Sequence, residues 1–391
     1  MKFSNRLAEQ KMGLVRKLTD EANRLNADDI IYLSIGVPDF KPIECIEYGI
    51  QEAFKKGYTK YTATAGLDFV RESVANFYNR KHKNINIKKE NILMTAGSQE
   101  AIFLLTLCTI DPTDEVIIVS PSFFTFKRCS KMMGAKIIEI PYDVVDNTYQ
   151  LPLTSIEEKI SNKTKYIYIN NPNNPTGAFT QKEEMKKLCN IADKYGIHII
   201  SDEVYREFLY DNNEFYSPYE FYDKTIIVDS VSKSFSVTGL RVGWIVADEK
   251  IIEKLLPAHQ QILFSLSSIN QYSVYYCFEK DNLDSILEER KNIFETRRNI
   301  IKNILNSIKV LETPNPMGAF YIFPKFSDKI NINLEEFCYD LLYKYHVVVV
   351  PGIDFGDDFT KNFRIAYTIE NKKLEEGALR IKNYIESKYH I

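Results

Sequence analysis

One lysine in the sequence lies in a setting that suits nucleophilic catalysis. Lys233 follows a predicted strand, Thr225–Asp229, and lies among hydroxyl side chains that include Ser230 and Ser232, with Arg241 further along the chain. A lysine amine whose pKa is lowered can attack an aldehyde and form a Schiff base. Hydroxyls and a guanidinium can hold a phosphate. The pattern favours Schiff-base catalysis with a phosphorylated cofactor; the alternative is a solvated lysine in a loop.

A second segment has the features of an anion site. The predicted strand Asn91–Thr95 leads through Gly97, Ser98 and Gln99 into an apolar helix. A Gly-Ser turn that opens a helix presents free backbone N–H groups at the positive end of the helix dipole, which suits a phosphate. The alternative is an ordinary strand-to-helix turn in which Ser98 caps the helix.

The lysine segment also resembles a known family. Its pattern S-x-S-K-x-F-x-x-x-G-x-R-x-G, from Ser230 to Gly243, is similar to the lysine segment of pyridoxal-phosphate-dependent aminotransferases of the aspartate aminotransferase fold (class I/II, fold type I). Segments similar to the family's other motifs follow one another in the family's order and extend from about residue 30 to 388. The resemblance implies that Lys233 binds pyridoxal 5'-phosphate.

Two motifs resemble those that hold the cofactor ring. In the stretch N-N-P-N-N-P-T-G, the resemblance implies that Asn174 bonds the 3-oxygen of the pyridine. In S-D-E-V-Y, Asp202 follows a predicted strand and can pair with a protonated pyridine nitrogen, which keeps the ring an electron sink. Tyr205 then reaches the 3-oxygen. A helix N-cap is the alternative role for Asp202.

Further motifs concern the ring face and the substrate. By resemblance, Phe123 stacks on the cofactor ring, although Phe123 could equally be core and Phe124 the stacking residue. Gly36, in L-S-I-G-V-P-D-F, would face the substrate carboxylate with its backbone. Arg364, in N-F-R-I-A-Y, would bind the α-carboxylate, for which a guanidinium fork is well suited. A structural salt bridge is the alternative role for Arg364.

The resemblance also implies an assembly. Tyr61 matches a tyrosine that reaches the phosphate of the neighbouring subunit, so we expect a homodimer with shared active sites. Three residues are assigned to catalysis, namely Lys233, Asp202 and Tyr205. Cofactor binding is assigned to Ser98, Gln99, Phe123, Asn174, Asp202, Tyr205, Ser230, Ser232, Lys233, Arg241 and Tyr61. Substrate binding is assigned to Gly36, Asn174 and Arg364.

The elements that must position these residues form an α/β pattern. Short apolar runs alternate with amphipathic stretches between about residues 90 and 250. This alternation predicts a mostly parallel sheet covered by helices, with the site beyond the carboxyl ends of the strands. One of the predicted helices begins with a capping box, Thr180-x-x-Glu183, and ends at Gly196. The strands are predicted at 91–95, 115–119, 136–140, 164–170, 197–201, 225–229 and 242–247.

The pattern changes near residue 280. A long amphipathic helix is followed by predicted strands at 319–323, 347–350 and 363–367, and by a closing helix at 373–388. We therefore expect a smaller α+β domain formed by the C-terminal part and the N-terminal segment. The predicted boundaries are 1–45 for the N-terminal arm and part of the small domain, 46–285 for the large cofactor-binding domain, and 286–391 for the small domain.

Composition excludes several other classes. The 391 residues carry a net charge of −3, which argues against nucleic-acid binding, and no apolar run is long enough to span a membrane. The N-terminus lacks the apolar region of a signal peptide, so we expect a cytoplasmic protein. The cysteines have neither CxxC nor metal-ligand spacing. They are therefore expected to be scattered reduced thiols, and no metal site is predicted.

The resemblance implies an aminotransferase that moves an amino group between an L-amino acid and a 2-oxo acid. Gln99 and the aromatic residues Phe123, Phe124 and Phe126 favour an aromatic or broad specificity, with 2-oxoglutarate as acceptor. The alternative enzyme is a carbon–sulfur β-lyase, which uses the same scaffold and motifs. A cofactor-sensing transcription regulator is disfavoured, because the resemblance leaves no room for an added DNA-binding domain.

Overall fold

The computed structural model describes Ser4, Arg6 and residues 13–25, 27–82 and 84–389. The described helices are α1 Leu14–Leu25, α2 Glu44–Lys55, α3 Asp68–Lys81, α4 Ser98–Thr109, α5 Thr125–Met132, α6 Leu153–Lys159, α7 Lys182–Tyr195, α8 Glu249–Leu263, α9 Ser268–Phe278, α10 Leu283–Asn306, α11 Leu334–Tyr345 and α12 Asn371–Tyr389. The described strands are β1 Ile31–Tyr32, β2 Ile92–Thr95, β3 Glu115–Ser120, β4 Lys136–Pro141, β5 Asp143–Val145, β6 Thr148–Gln150, β7 Thr164–Asn170, β8 His198–Asp202, β9 Thr225–Ser230, β10 Gly243–Val246, β11 Leu311–Glu312, β12 Tyr321–Ile322, β13 Lys325–Phe326, β14 Val347–Val348, β15 Val350–Pro351 and β16 Phe363–Ala366.

A seven-stranded sheet forms the centre of the larger part of the chain. Its strand order is β2-β10-β9-β8-β7-β3-β4, and β10 alone runs antiparallel to its neighbours in that sheet. In β7, Ile167 packs with α6 and α7 on one face, whereas Tyr168 packs with α4, α5 and α8 on the other. Both faces are therefore covered, which explains the continuous apolar runs. The predicted α/β class is confirmed.

The N-terminal segment and the C-terminal part share a second hydrophobic core. Leu18 of α1 and Leu33 lie in one buried cluster with Phe294, Leu341 and Ile381, which belong to α10, α11 and α12. Short strands complete this part: β12, β16 and β15 form a three-stranded sheet, and β1 pairs with β14. The boundaries at 45/46 and 285/286 stay predictions. Among the residues that the structure describes, no helix is both long and apolar enough to cross a membrane.

Two local predictions are wrong. The predicted capping box does not form, because α7 begins at Lys182 after Gln181, and the N–H of Thr180 donates to Asn171 Oδ1 (3.0 Å). Glu183 instead pairs with Lys186 on the surface of the helix.

The predicted strand at 319–323 shortens to β12, because Ala319 has a φ of +55°, which extended backbone does not allow. The predicted stop of α7 at Gly196 is confirmed by a φ of +70°.

The prediction that the cysteines are scattered reduced thiols is wrong for two of them. Cys45 in α2 and Cys277 in α9 form a disulfide, with 5.3 Å between their Cα atoms and a sequence separation of 232. The two helices pack closely, since a Cβ added at Gly49 would lie 2.7 Å from the Cα of Ser273. The pairing depends on this tertiary contact, which sequence spacing does not reveal.

Candidate active site

A cavity of about 360 Å³ lies at the carboxyl ends of β7, β8 and β9, where the two parts of the chain meet. This is the edge at which open α/β sheets bind ligands. Its size is within the range of small-molecule sites. The predicted site residues that line it are Gly36, Ser98, Gln99, Phe123, Asn174, Asp202, Tyr205, Ser230, Ser232, Lys233, Arg241 and Arg364.

Lys233 lies in the turn after β9, and its side chain points into the cavity. Its Nζ donates to the carbonyl oxygen of Gly36 at 2.7 Å, so the amine is held rather than free in solvent. Burial, together with the charges of Arg364 and Arg241, lowers the pKa of Lys233 to about 8. A neutral amine at this pKa is a nucleophile near physiological pH. The alternative of a solvated loop lysine does not fit this setting.

One end of the cavity has the donors that an anion needs. Helix α4 begins at Ser98 after Gly97, whose φ is +77°, and no side chain in the described part of the chain caps its first turn. Arg241 reaches the same turn by donating to the carbonyl of Ala96 (3.1 Å). A Cβ at Gly97 would collide with the Arg241 guanidinium, so this approach needs a glycine. Ser230, at the end of β9, also faces this end of the cavity. The uncapped helix, the guanidinium and the hydroxyls together can bind a phosphate.

Asp202 lies at the end of β8 and is buried. Its carboxylate accepts a hydrogen bond from the hydroxyl of Tyr168 (3.0 Å) and a longer one from the N–H of Val204 (3.4 Å). Burial raises the pKa of the Asp202 carboxyl to about 6. The described residues that follow β8 form turns rather than a helix, so Asp202 is not a helix N-cap. A buried carboxylate that lines a cavity is well placed to bind a cationic ligand group.

Arg364, Asn174 and Tyr205 form one hydrogen-bonded group. Arg364 Nη1 donates to Asn174 Oδ1 (3.0 Å), and Asn174 Nδ2 donates to the Tyr205 hydroxyl (3.3 Å). The second Arg364 nitrogen, Nη2, donates to the carbonyl of Ser34. Arg364 Nε is buried without a hydrogen-bond partner among the described residues, and no carboxylate of those residues pairs with this arginine. A structural salt bridge therefore does not form, and the charge of the guanidinium has no carboxylate partner among the described residues.

The sequence left open which of two phenylalanines faces the site. Both Phe123 and Phe124 line the cavity, and their ring centroids lie 4.4 Å apart. Phe124 also packs under the guanidinium of Arg128, 4.1 Å from the ring centroid. Gln99 lines the same region and accepts from the Thr125 hydroxyl (2.9 Å). Either ring can stack on a ligand, so the assignment to Phe123 stays a prediction.

Tyr61 is the predicted site residue that the structure does not bring to the cavity. Its side chain is 82% exposed and contacts Phe264, with 4.9 Å between the ring centroids. This position is compatible with a role toward a second subunit. The shared site stays a prediction.

Sequence reasoning missed several residues that line the cavity. Tyr321 on β12 is buried there, and Val15 of α1 and Phe355 contribute apolar surface. Asp354 also lines it, and its carboxylate accepts from the backbone N–H groups at the start of α1. Only Tyr321 had a signal in the sequence, because it carries a hydroxyl in an otherwise apolar predicted strand.

The comparisons with known proteins agree with this geometry. The family model described as aminotransferase class I and II matches residues 28–381. An aspartate aminotransferase of Pyrococcus horikoshii is 35% identical over 377 residues, which cover 96% of this chain and 95% of that protein. Aromatic-amino-acid aminotransferase 2 of Thermococcus litoralis is 33% identical over 393 residues, which cover 99% of each chain. The structure of a single mutant of Thermus thermophilus aspartate aminotransferase has a TM-score of 0.92 and 26% identity, with coverage of 98% of this chain and 99% of that chain.

The chain therefore belongs to the class I and II aminotransferases. The family model covers nearly all of the described residues, including every residue that lines the cavity except Val15. The resemblance of the lysine segment and the resulting fold and enzyme class are thereby confirmed.

Proposed function

We propose that this protein uses pyridoxal 5'-phosphate to transfer an amino group from an L-amino acid to a 2-oxo acid, with 2-oxoglutarate as acceptor. The observation that carries the proposal is the convergence of Lys233, Asp202 and Arg364 on one cavity. These residues supply an amine of lowered pKa, a buried carboxylate and a guanidinium that has no carboxylate partner among the described residues. Each has a complementary group on the cofactor or on an amino acid.

The residues present fit the cofactor in chemistry and arrangement. The uncapped start of α4, Ser98, Ser230 and Arg241 form the anion end of the cavity, which suits the phosphate. Ser230 Oγ also accepts from the N–H of Ser232 (3.1 Å), which fixes the turn before Lys233. We assign the phosphate to this end.

The ring of the cofactor would be held by residues at the ends of β7 and β8. Asp202 would hold a proton on the pyridine nitrogen, because its buried negative charge favours the protonated form. Asn174 and Tyr205 would bind the ring 3-oxygen through their side chains, and Phe123 or Phe124 would stack on one face. When bound, the cofactor supplies a carbonyl for Schiff-base chemistry and an electron sink for the substrate's α-carbon.

The chain's own residues then perform binding and proton transfer. Arg364 would bind and orient the α-carboxylate of the amino acid, because its guanidinium lines the cavity and has no carboxylate partner among the described residues. Lys233 would be the amine that binds the aldehyde; once the amine of the amino acid has displaced it, Lys233 would move the proton at the α-carbon as a general base, and its pKa of about 8 lies near neutral pH. The carbonyl of Gly36 accepts a hydrogen bond from the Lys233 amine and holds it in the site.

The side-chain region of the cavity supports an aromatic or broad donor specificity. Apolar surface comes from Val15, Val37, Ile102, Phe124 and Phe355. The described residues that line the cavity include three cations, Lys233, Arg241 and Arg364. The proposal already assigns them to the aldehyde, the phosphate and the α-carboxylate, in that order. A neutral, apolar or aromatic donor side chain therefore fits these walls better than a second carboxylate.

A screen of amino donors with 2-oxoglutarate tests the proposal. Formation of glutamate together with the matching 2-oxo acid is the expected result, with the highest kcat/KM for aromatic donors. Release of pyruvate and ammonia from cysteine conjugates without an acceptor would instead assign the β-lyase reaction. Wild-type protein that neither binds pyridoxal phosphate nor transfers an amino group would contradict both reactions.

A further inference from the structure

Tyr321 contacts three of the predicted site residues, although no sequence motif identifies it. Its side chain is 1% exposed, and its hydroxyl oxygen lies 3.0 Å from that of Tyr205. The guanidinium of Arg364 lies over its ring, 4.5 Å from the centroid. A Cβ added at Gly36 would overlap its hydroxyl. Tyr321 therefore joins the residues proposed to bind the cofactor to those proposed to bind the substrate carboxylate.

Strand pairing explains why the ring lies beside Arg364. Strand β12 pairs antiparallel with β16, and Tyr321 is opposite Ala366. Side chains alternate along a strand, so Ala366 and Arg364 lie on the same face of β16. A tyrosine ring opposite Ala366 can therefore reach the guanidinium on that face. The contact is a cation–π interaction in a buried setting.

The backbone around β12 holds Tyr321 against the turn that carries Tyr205. Ala319 N donates to the carbonyl of Phe208 (2.9 Å), and Tyr210 N donates to the carbonyl of Met317 (3.0 Å). Ala319 has a positive φ of 55°, a conformation that non-glycine residues adopt only where surrounding contacts enforce it. The position of the Tyr321 hydroxyl is therefore fixed by the fold.

The hydrogen-bond pattern determines the direction in which the Tyr205 hydroxyl can donate. The Tyr205 oxygen already accepts from Asn174 Nδ2 at 3.3 Å. Among the described residues, the only hydrogen-bond partner of the Tyr321 hydroxyl is Tyr205. If Tyr321 donates, both acceptor positions of the Tyr205 oxygen are used, and the proton of Tyr205 is left to point into the cavity.

We propose that Tyr321 is a positioning residue with two effects. Its hydroxyl directs the hydroxyl proton of Tyr205 into the cavity, and its ring packs against the guanidinium of Arg364 and holds that group in position. The inference rests on the proposed function, because the group that would accept the hydrogen bond from Tyr205 is the 3-oxygen of the cofactor ring. An oxygen that accepts two hydrogen bonds also makes its own O–H a better donor. Tyr321 thereby strengthens the bond that Tyr205 makes without touching the cofactor itself.

The first test is a double-mutant cycle of Tyr321→Phe and Tyr205→Phe, read from the pH midpoint of the cofactor's visible absorbance. The midpoint should rise when Tyr205 is replaced, because a donor to the 3-oxygen is lost. Tyr321→Phe should move it in the same direction, by about 0.3 pH unit or more. In the Tyr205→Phe background, Tyr321→Phe should add no further shift.

Tyr367→Phe is the matched control. Tyr367 is also fully buried, and its hydroxyl donates to the carbonyl of Ala319 (3.5 Å) rather than to a cavity residue. This variant should leave the midpoint unchanged, even where its melting temperature falls. Equal shifts from Tyr321→Phe in both backgrounds, or no shift at all, would overturn the inference alone. Wild-type protein without the visible absorbance would overturn both the inference and the proposed cofactor.

A second test concerns Arg364. Tyr321→Phe keeps the ring, whereas Tyr321→Leu removes it. Binding of 3-phenylpropionate to the holoenzyme, measured by calorimetry, should be nearly unchanged in the phenylalanine variant and about fivefold weaker in the leucine variant. Equal affinity in the leucine variant and the wild type would overturn the role of the ring in supporting Arg364.

Discussion

At the scale of single residues, Asp202 carries a buried negative charge that its hydrogen-bond partners do not neutralise. Its two hydrogen bonds come from Tyr168 and Val204, and neither partner is a cation. The two bonds reach different oxygens of the carboxylate, so an asparagine can accept from Val204 with its amide oxygen and can donate to the Tyr168 hydroxyl with its amide nitrogen. The substitution therefore separates the charge of Asp202 from its structural contacts.

Asp202→Asn should retain the cofactor and lose turnover by about 100-fold or more, because a pyridine nitrogen without an anionic partner makes the ring a poor electron sink. Steady-state kcat and cofactor absorbance on one preparation measure both effects. Asp229→Asn is the control, since Asp229 is a buried carboxylate on the adjacent strand that bonds Tyr78 outside the cavity. Near-normal turnover of Asp202→Asn would show that its charge has no part in the reaction.

Arg364→Lys should lower kcat/KM by about 100-fold for every amino donor and for 2-oxo acid acceptors alike, because each carries the same carboxylate and lysine lacks the planar fork. Cofactor absorbance should change little, since the phosphate donors lie elsewhere. Arg298→Lys is the control for stability, because Arg298 is also buried and pairs with Asp211. If Arg364→Lys lowers only the melting temperature, with normal activity per folded molecule, the carboxylate assignment is wrong.

Residues that lie in a recognisable local motif can be predicted from the sequence. A residue that reaches the site through the pairing of two strands cannot be predicted in this way. Lys233, Asp202 and Arg364 were predicted from their segments, and the structure brings them to one cavity. Tyr321 was missed because its contacts with Tyr205 and Arg364 depend on the register of β12 and β16 and on the backbone at Ala319. Neither feature is visible in residue type or spacing.

At the scale of elements, the side chain of Asp354 caps helix α1 beside the cavity. The Asp354 carboxylate accepts from the N–H groups of Leu14 (3.0 Å) and Val15 (2.9 Å), which are the first residues of the helix. Unpaired N–H groups at a helix start need such an acceptor. This cap helps to hold Val15 at the cavity, where Val15 also packs against Val350 and Phe355.

Asp354→Ala should lower the free energy of unfolding by about 1 kcal/mol, as loss of a helix cap does, and should also raise KM for amino donors because Val15 is less well placed. Asp248→Ala is the matched control, since Asp248 caps α8 by accepting from the N–H of Lys250 (3.0 Å). Denaturant unfolding and steady-state kinetics measure the two effects. Equal KM changes in both variants would contradict the placement of Val15 by Asp354.

The strands of the large sheet could be predicted because they are buried on both faces and therefore read as continuous apolar runs. The structure has β7 at the predicted residues, and the other strands of this sheet differ from their predictions by one residue at one or both ends. The start of α7 was wrong, because the hydrogen bond from Thr180 to Asn171 competes with a local cap. Local signals therefore fail where a tertiary partner takes the same polar group.

At the scale of the whole molecule, exposed aromatic side chains suggest a second copy of the chain as partner. Tyr61, Phe54 and Phe264 are 82%, 59% and 51% exposed. Tyr61 and Phe264 contact each other next to α9, and Phe54 is on α2, which the disulfide joins to α9. The homodimer predicted from the Tyr61 motif would cover such surface.

Sedimentation should show a dimer, and Tyr61→Phe should weaken cofactor retention about tenfold without loss of folding, because one donor to the partner's phosphate is removed. Tyr195→Phe, at an exposed tyrosine of α7, is the control and should retain the cofactor normally. A fully active monomer, or a Tyr61→Phe variant with normal retention, would contradict the shared site.

The central claim is that Lys233 binds pyridoxal phosphate, and borohydride reduction followed by peptide mapping tests it most directly. The protein should be yellow, and reduction should fix the pyridoxal group to the peptide that contains Lys233. Because burial lowers the pKa of Lys233 to about 8, the neutral amine increases as pH rises through that value, and the apoprotein should be labelled faster at pH 9 than at pH 7. Labelling at another lysine, or none, would contradict the account.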